Sequence, residues 1–206
     1  MMHDKQQAAL TLWKRALAHI EIEDPEALRW ARSVGPHTWK EMSSEEFLRS
    51  YCFVVYASGM KYQTIDGIFA DLSKSFKYFN IVKLSKMNSL KEPLRVFNLE
   101  RKARNFLDGA QLIAKEGFGD FKERVSKQGM DALERLPGIG PITKKHLAKN
   151  IGLADVAKND RWLVKASKIT GWLCPEDMVD FLSEATREKR HVIDVAIWNL
   201  AKDGNL

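Results

Sequence analysis

The chain has 206 residues, of which 45% are hydrophobic and 29% charged, and it carries a net charge of +6. These values fit a folded protein with one core or two tight lobes, and they exclude an intrinsically disordered chain. Cys52 and Cys174 are too few for a disulfide scaffold and form no zinc spacing, and no apolar run approaches the ~20 residues of a membrane span.

In chain order, the pattern is helical throughout. Leu10, Trp13, Leu17 and Ile20 make one face of a first helix. Acidic Asp4 and the helical spacing argue against a signal peptide. Asp24-Pro25 opens a second helix and Gly35-Pro36 ends it. Ser43 and Glu46 have capping-box spacing. They predict the start of an apolar central helix through Phe47, Tyr51, Val54 and Val55 that ends near Ser58-Gly59. A further helix runs from Gln63 or Thr64 to Phe76. Residues 78–99 mix Asn80, Ser85, Asn88 and Pro93 with short apolar runs and read as loop with short helices. A helix over 100–116 turns Phe106, Ala110 and Ile113 inward, and helices over 119–127 and 129–135 follow. Gly152 stands where a helix-ending glycine belongs. The helix 161–169 stops at Thr170-Gly171, and Pro175 restarts the chain. Ile193, Ala196, Ile197 and Leu200 mark the inward face of the last helix. Trp13, Trp30, Trp39, Trp172 and Trp198 read as core, and Arg187–His191 as a solvated face of mixed sign. No strand-like alternation and no solenoid repeat is present, so the expected class is all-α.

The string Leu136-Pro137-Gly138-Ile139-Gly140 lies between two helical segments. Backbone N–H groups of such a turn, with the N-terminus of the following helix, suit a phosphate. Lys144, Lys145 and Lys149 follow, where phosphate contacts need cations. Pro141 fits the first helical turn but removes one donor. Twenty residues past Gly140 stands Asp160, ahead of Arg161-Trp162-Leu163-Val164, as a helix N-cap. A capping carboxylate is held rigidly, and a rigid carboxylate can stabilise developing positive charge.

These residues together resemble the helix-hairpin-helix DNA glycosylases of the endonuclease III, 8-oxoguanine glycosylase and alkylpurine glycosylase type. Lys165 matches the family's basic residue five positions after the Asp. Ala57–Gly67 is similar to a loop of the 8-oxoguanine enzymes, and Arg101–Lys115 to the helix preceding the hairpin region. The resemblance spans about residues 45–170. It implies a two-lobed fold with the active site between the lobes. One would be a helical barrel over 41–157 holding the hairpin at about 129–151, the other 1–40 with 158–206. It implies that Asp160 is catalytic, that Gly138, Ile139, Gly140, Lys144 and Lys145 bind DNA phosphate, and that Gly59, Met60, Tyr62, Ile142 and Trp162 supply wedge or pocket. For Trp162, packing beneath the pocket is the competing reading. His146 reads as a phosphate neighbour. A monovalent Na or K ion is implied on the backbone carbonyls of Glu134, Leu136 and Ile139. No iron–sulfur cluster and no zinc are expected, since the chain reaches Leu206 without the four cysteines some relatives carry.

The implied partner is duplex DNA with a damaged or modified base, handled by a monomer in the cytoplasm or at the nucleoid, or in a nucleus, with no membrane and no secretion. In bifunctional relatives a Lys stands two residues after the second turn glycine, and here that residue is Ile142. The resemblance therefore implies a monofunctional enzyme that uses water. Two alternatives stay open: a glycosylase and lyase using Lys144 or Lys145, and a DNA-binding module without catalysis.

Overall fold

The computed structural model describes residues 2–206, and the protein is all-helical. In chain order its helices are α1 (Met2–Glu23), α2 (Pro25–Ser33), α3 (Pro36–Glu41), α4 (Ser44–Ala57), α5 (Tyr62–Ser75), α6 (Ile81–Ser85), α7 (Lys91–Val96), α8 (Glu100–Glu116), α9 (Phe118–Gln128), α10 (Pro141–Asn150), α11 (Arg161–Ile169), α12 (Pro175–Thr186) and α13 (Arg190–Lys202). Two 3-10 segments, Lys77–Phe79 and Gly129–Arg135, complete the set. The segment over 129–135 is expected as one arm of the helical hairpin. It is a 3-10 run, confined between Gly129 at φ +71° and Pro137. The chain forms two compact units, His37–Leu153 on the one hand and Met1–Pro36 with Ala154–Leu206 on the other.

In His37–Leu153, α4 is central. Ser43 and Glu46 close the capping box at its start: Glu46 N–H donates to Ser43 Oγ at 3.3 Å and Ser43 N–H to Glu46 Oε2 at 2.8 Å. Phe47, Leu48, Tyr51, Cys52, Val54, Val55 and Tyr56 are then buried on several faces, so α4 runs through the core rather than along its edge. Phe106 of α8 packs edge-on against Phe76 at 4.6 Å, and Phe121 of α9 against Phe47 at 4.9 Å, distances typical of favourable aromatic pairs. Residues 78–99 form a short 3-10 turn and two short helices, as their mixed composition predicts. Lys77, Tyr78 and Phe79 all take φ between 55° and 61°, a left-handed turn that no glycine marks in the sequence. Gly152, φ +71°, ends α10 with a paired turn: Gly152 N–H donates to the Lys149 carbonyl at 3.3 Å and Leu153 N–H to that of Ala148 at 2.9 Å.

In the second unit, α13 is the buried axis. Ile193, Ala196, Ile197 and Leu200 pack with Trp13, Ile20, Leu28, Leu163, Met178 and Leu182 in one apolar cluster. His191, Asp194 and Asn199 of the same helix are buried polar residues, each at 3% exposure or less. Two expectations are corrected here. Trp30 is 43% exposed and is not core. Arg187–His191 is not simply a solvated face, because Lys189 Nζ donates to the carbonyls of Arg32 (2.7 Å) and Val34 (2.8 Å) and His191 is buried, tying α13 to α2.

Candidate functional site

The hairpin is built by a turn whose residues are chosen by conformation. Ile139 N–H donates to the Leu136 carbonyl at 3.1 Å. Pro137 stands second and Gly138 third with φ +83°, the pattern of a type II turn. The turn is seated on α4 and α8: a β-carbon at Gly138 would lie 3.0 Å from Asn105 Nδ2 and 3.4 Å from Val55 Cγ2. Tyr51 secures it, its hydroxyl facing the carbonyls of Pro137 at 2.6 Å and Asn105 at 2.9 Å. Burial raises the pKa of that phenol, so it stays a donor. Gly140 differs from Gly138. Its φ of −128° suits any residue, and a β-carbon there would meet nothing within 4 Å.

The expected anion donors are partly reassigned. Ile139 N–H is used in the turn, and Gly140 N–H donates to Thr143 Oγ1 at 2.7 Å. Gly140 has no side chain to cap α10, and Pro141 brings no N–H. The amides of Ile142 and Thr143 consequently have no protein acceptor among the described residues. These amides, rather than those of Ile139 and Gly140, form the open end of α10. Ile142 itself is 51% exposed there. The Leu136 carbonyl, already an acceptor in the turn, keeps one lone pair for the implied monovalent cation. Among the described residues no cluster of His, Cys, Asp or Glu is arranged to hold a metal.

The lysines of α10 are not the open cations their spacing suggests. Lys144 Nζ sits 2.6 Å from Asp131 and 2.5 Å from Glu134, both on the preceding 3-10 segment, and these hydrogen bonds raise its pKa. Lys149 is buried. Lys145 and His146 are half-buried, and the His146 ring lies edge-on to Phe53 at 6.4 Å. Phe53 also contacts Tyr62, at 5.9 Å on its edge. Through Phe53 the structure brings Tyr62 and the loop before it beside the hairpin helix. That loop turns at Gly59 (φ +71°), with Met60 half-buried and Tyr62 39% exposed at the start of α5. Lys102, which sequence reasoning missed, donates to the carbonyls of Val55 (2.8 Å) and Ser58 (2.7 Å) and fixes where α4 ends and the loop begins. His37–Leu153 holds 20 Lys and Arg against 13 Asp and Glu, while the other unit holds 13 against 14, so the basic excess lies with the hairpin.

Asp160 caps α11. Its Oδ1 accepts the amides of Trp162 at 2.9 Å and Leu163 at 3.3 Å, while Oδ2 faces Lys158 Nζ at 3.1 Å. The carboxylate and Lys158 are both largely covered, at 18% and 21% side-chain exposure. Trp162 is half-buried with the Arg161 guanidinium over its ring at 4.4 Å. Lys165 is exposed and donates to the Leu206 carbonyl at 2.6 Å.

The segment before Asp160 is held from two helices. Asp194 of α13 accepts the Lys158 amide at 2.9 Å, and Asn159 Nδ2 donates to Glu176 of α12. Asp155 accepts the amides of Arg190 and His191 and faces His191 Nδ1, all at 3.1 Å. Burial opposes the charge on Asp155, but the hydrogen bonds from the His191 side chain and the two amides outweigh it and hold the carboxyl at about 2. Lys158, Asp155, Asp194 and Glu176 were not foreseen. The signal for Asp194 was a carboxylate inside the otherwise apolar run of the last helix.

No protein-family model, no curated protein and no solved structure matches this chain.

Proposed function

We propose that this protein is a DNA glycosylase of the helix-hairpin-helix type, which hydrolyses the N-glycosidic bond of a damaged or modified base in duplex DNA. The observation that carries the reading is Asp160. Its carboxylate is locked by two amides of its own helix, so its position does not depend on a mobile side chain. A bond between base and sugar breaks through an oxocarbenium-like state, and a fixed anion stabilises that charge without reorganising. The target nucleotide would be turned out of the stack, since its sugar–base bond is inaccessible inside it. Support for the DNA partner comes from the hairpin: a rigid type II turn opens α10 with two unpartnered amides, in the unit that carries the basic excess. Tyr62 and Met60, beside the hairpin helix, are the wedge candidates.

The test is a panel of duplexes, each with one altered base, assayed for alkali-revealed strand breaks. Asp160→Asn keeps a good N-cap residue while removing the charge, and should lower single-turnover excision by about 10²–10³ with duplex affinity unchanged. Excision by the variant at the wild-type rate would refute the assignment. A second reading, a DNA-binding module without catalysis, is favoured by one observation: both oxygens of Asp160 are already engaged, by α11 and by Lys158. Tight duplex binding with no base released from any member of the panel would establish it.

A further inference from the structure

We propose that Lys158 is an amine nucleophile, giving the protein a lyase activity on abasic sites. The inference rests on the reading of Asp160 as the group that faces the sugar. Nζ of Lys158 lies 3.1 Å from Asp160 Oδ2. An ammonium in contact with that carboxylate neutralises much of its field and works against stabilising a second cation at the sugar. For a reaction using water the pairing is therefore counterproductive. For a reaction using an amine it is what the chemistry requires, because a lysine attacks only after a neighbouring base has taken its proton. The backbone is arranged for the same end: Asp194 holds the Lys158 amide at 2.9 Å, and Asp160 N–H donates to the Lys158 carbonyl at 2.7 Å, so residue 158 is pinned on both sides of its α-carbon. The lysine that spacing offers on the hairpin, Lys144, is in the opposite situation, its ammonium shared between two carboxylates of the neighbouring segment.

The step balances with the groups present. Asp160 takes a proton from Lys158, and the freed lone pair attacks C1′ of the ring-opened abasic aldehyde. The carbinolamine loses its oxygen as water, taking the proton back from Asp160, and leaves an iminium between Nζ and C1′. Asp160 then removes a C2′ proton, and the 3′ phosphate departs with the electrons of its bond to carbon.

The experiment uses the full chain and a duplex carrying one abasic site, made by enzymatic removal of uracil, with sodium borohydride as the trap. Wild type should give a reduced, alkali-stable protein–DNA adduct whose modified peptide contains Lys158. Lys158→Arg keeps a cation beside Asp160 but cannot form the imine, so it should lose the adduct and the alkali-independent strand break while its melting temperature is retained. Lys144→Ala and Lys145→Ala should keep the adduct. Adduct formation by Lys158→Arg at wild-type yield, or none by wild type, overturns the inference. If wild type releases a base in the alkali assay yet forms no adduct, the lyase inference alone falls; if it does neither, the glycosylase reading falls with it.

Discussion

The two glycines of the hairpin should respond oppositely to the same substitution. Gly138→Ala places a side chain at φ +83°, which costs about 1–2 kcal/mol for an L-residue. It also drives a β-carbon to 3.0 Å from Asn105 Nδ2, 3.3 Å from Asn105 Cβ and 3.4 Å from Val55 Cγ2. Both neighbours belong to packed helices, so relief requires small shifts in α4 and α8, at roughly 1–2 kcal/mol within the range for overpacking. The reduced entropy of the unfolded chain returns about 0.4–1 kcal/mol. The net loss is about 2–3 kcal/mol, which for a chain of this size lowers the melting temperature by about 4–12 °C. Gly140→Ala meets no atom within 4 Å and keeps an ordinary extended φ. Its weaker N-cap, some tenths of a kcal/mol, and its gain from the unfolded state nearly cancel. That variant should melt within about 2 °C of wild type yet bind damaged and undamaged duplex less well, because its methyl intrudes beside the open amides of Ile142 and Thr143. Thermal unfolding by circular dichroism and duplex binding by fluorescence anisotropy measure the two effects. A Gly138→Ala protein as stable as wild type, or a Gly140→Ala protein that binds both duplexes with unchanged affinity, would refute this account of the hairpin.

Other outcomes follow from the same geometry. Gly109→Ala raises helix propensity by nearly 1 kcal/mol but puts its β-carbon 2.1 Å from the Tyr51 hydroxyl. It should therefore destabilise by about 3 kcal/mol or more, and a neutral or stabilising result would show that Tyr51 does not occupy this position. Tyr51→Phe keeps the ring but leaves the Pro137 carbonyl without its donor; it should cost about 1–3 kcal/mol in denaturant unfolding and increase amide exchange in the hairpin. For Asp155, the folded carboxyl at about 2 lies below its ordinary value of 3.8, so its contribution is complete above about pH 4 and is lost as pH falls through 2. The stability gap between wild type and Asp155→Asn should thus narrow from pH 4 to pH 2, and a gap independent of pH would contradict the hydrogen bonding from His191 and Arg190.

Much of the fold is legible in the chain because its boundaries are set by local chemistry. Ser43 with Glu46, Asp24 with Pro25, Gly152 and Pro175 each act within a few residues of where they stand, and the helices begin or end at them. The left-handed turn at Lys77–Phe79 has no such marker, since its three residues are ordinary and the conformation is imposed by burying Phe76 and Phe79 on either side of it. At the candidate site the division is the same. Pro137 and Gly138 announce the turn, and Asp160 announces a cap, because each acts on its own backbone. What those residues face is decided by side chains distant in sequence. Lys144 reads as an open cation until Asp131 and Glu134 are brought to it, and Lys158 reads as an ordinary surface lysine until Asp194 and Asp160 fix its backbone and its ammonium. The consequence is chemical as well as structural. Spacing alone assigns any amine chemistry to the hairpin helix, whereas the contacts withdraw Lys144 into an ion pair with two acids and leave Lys158 as the amine touching the carboxylate on which the proposed reaction depends.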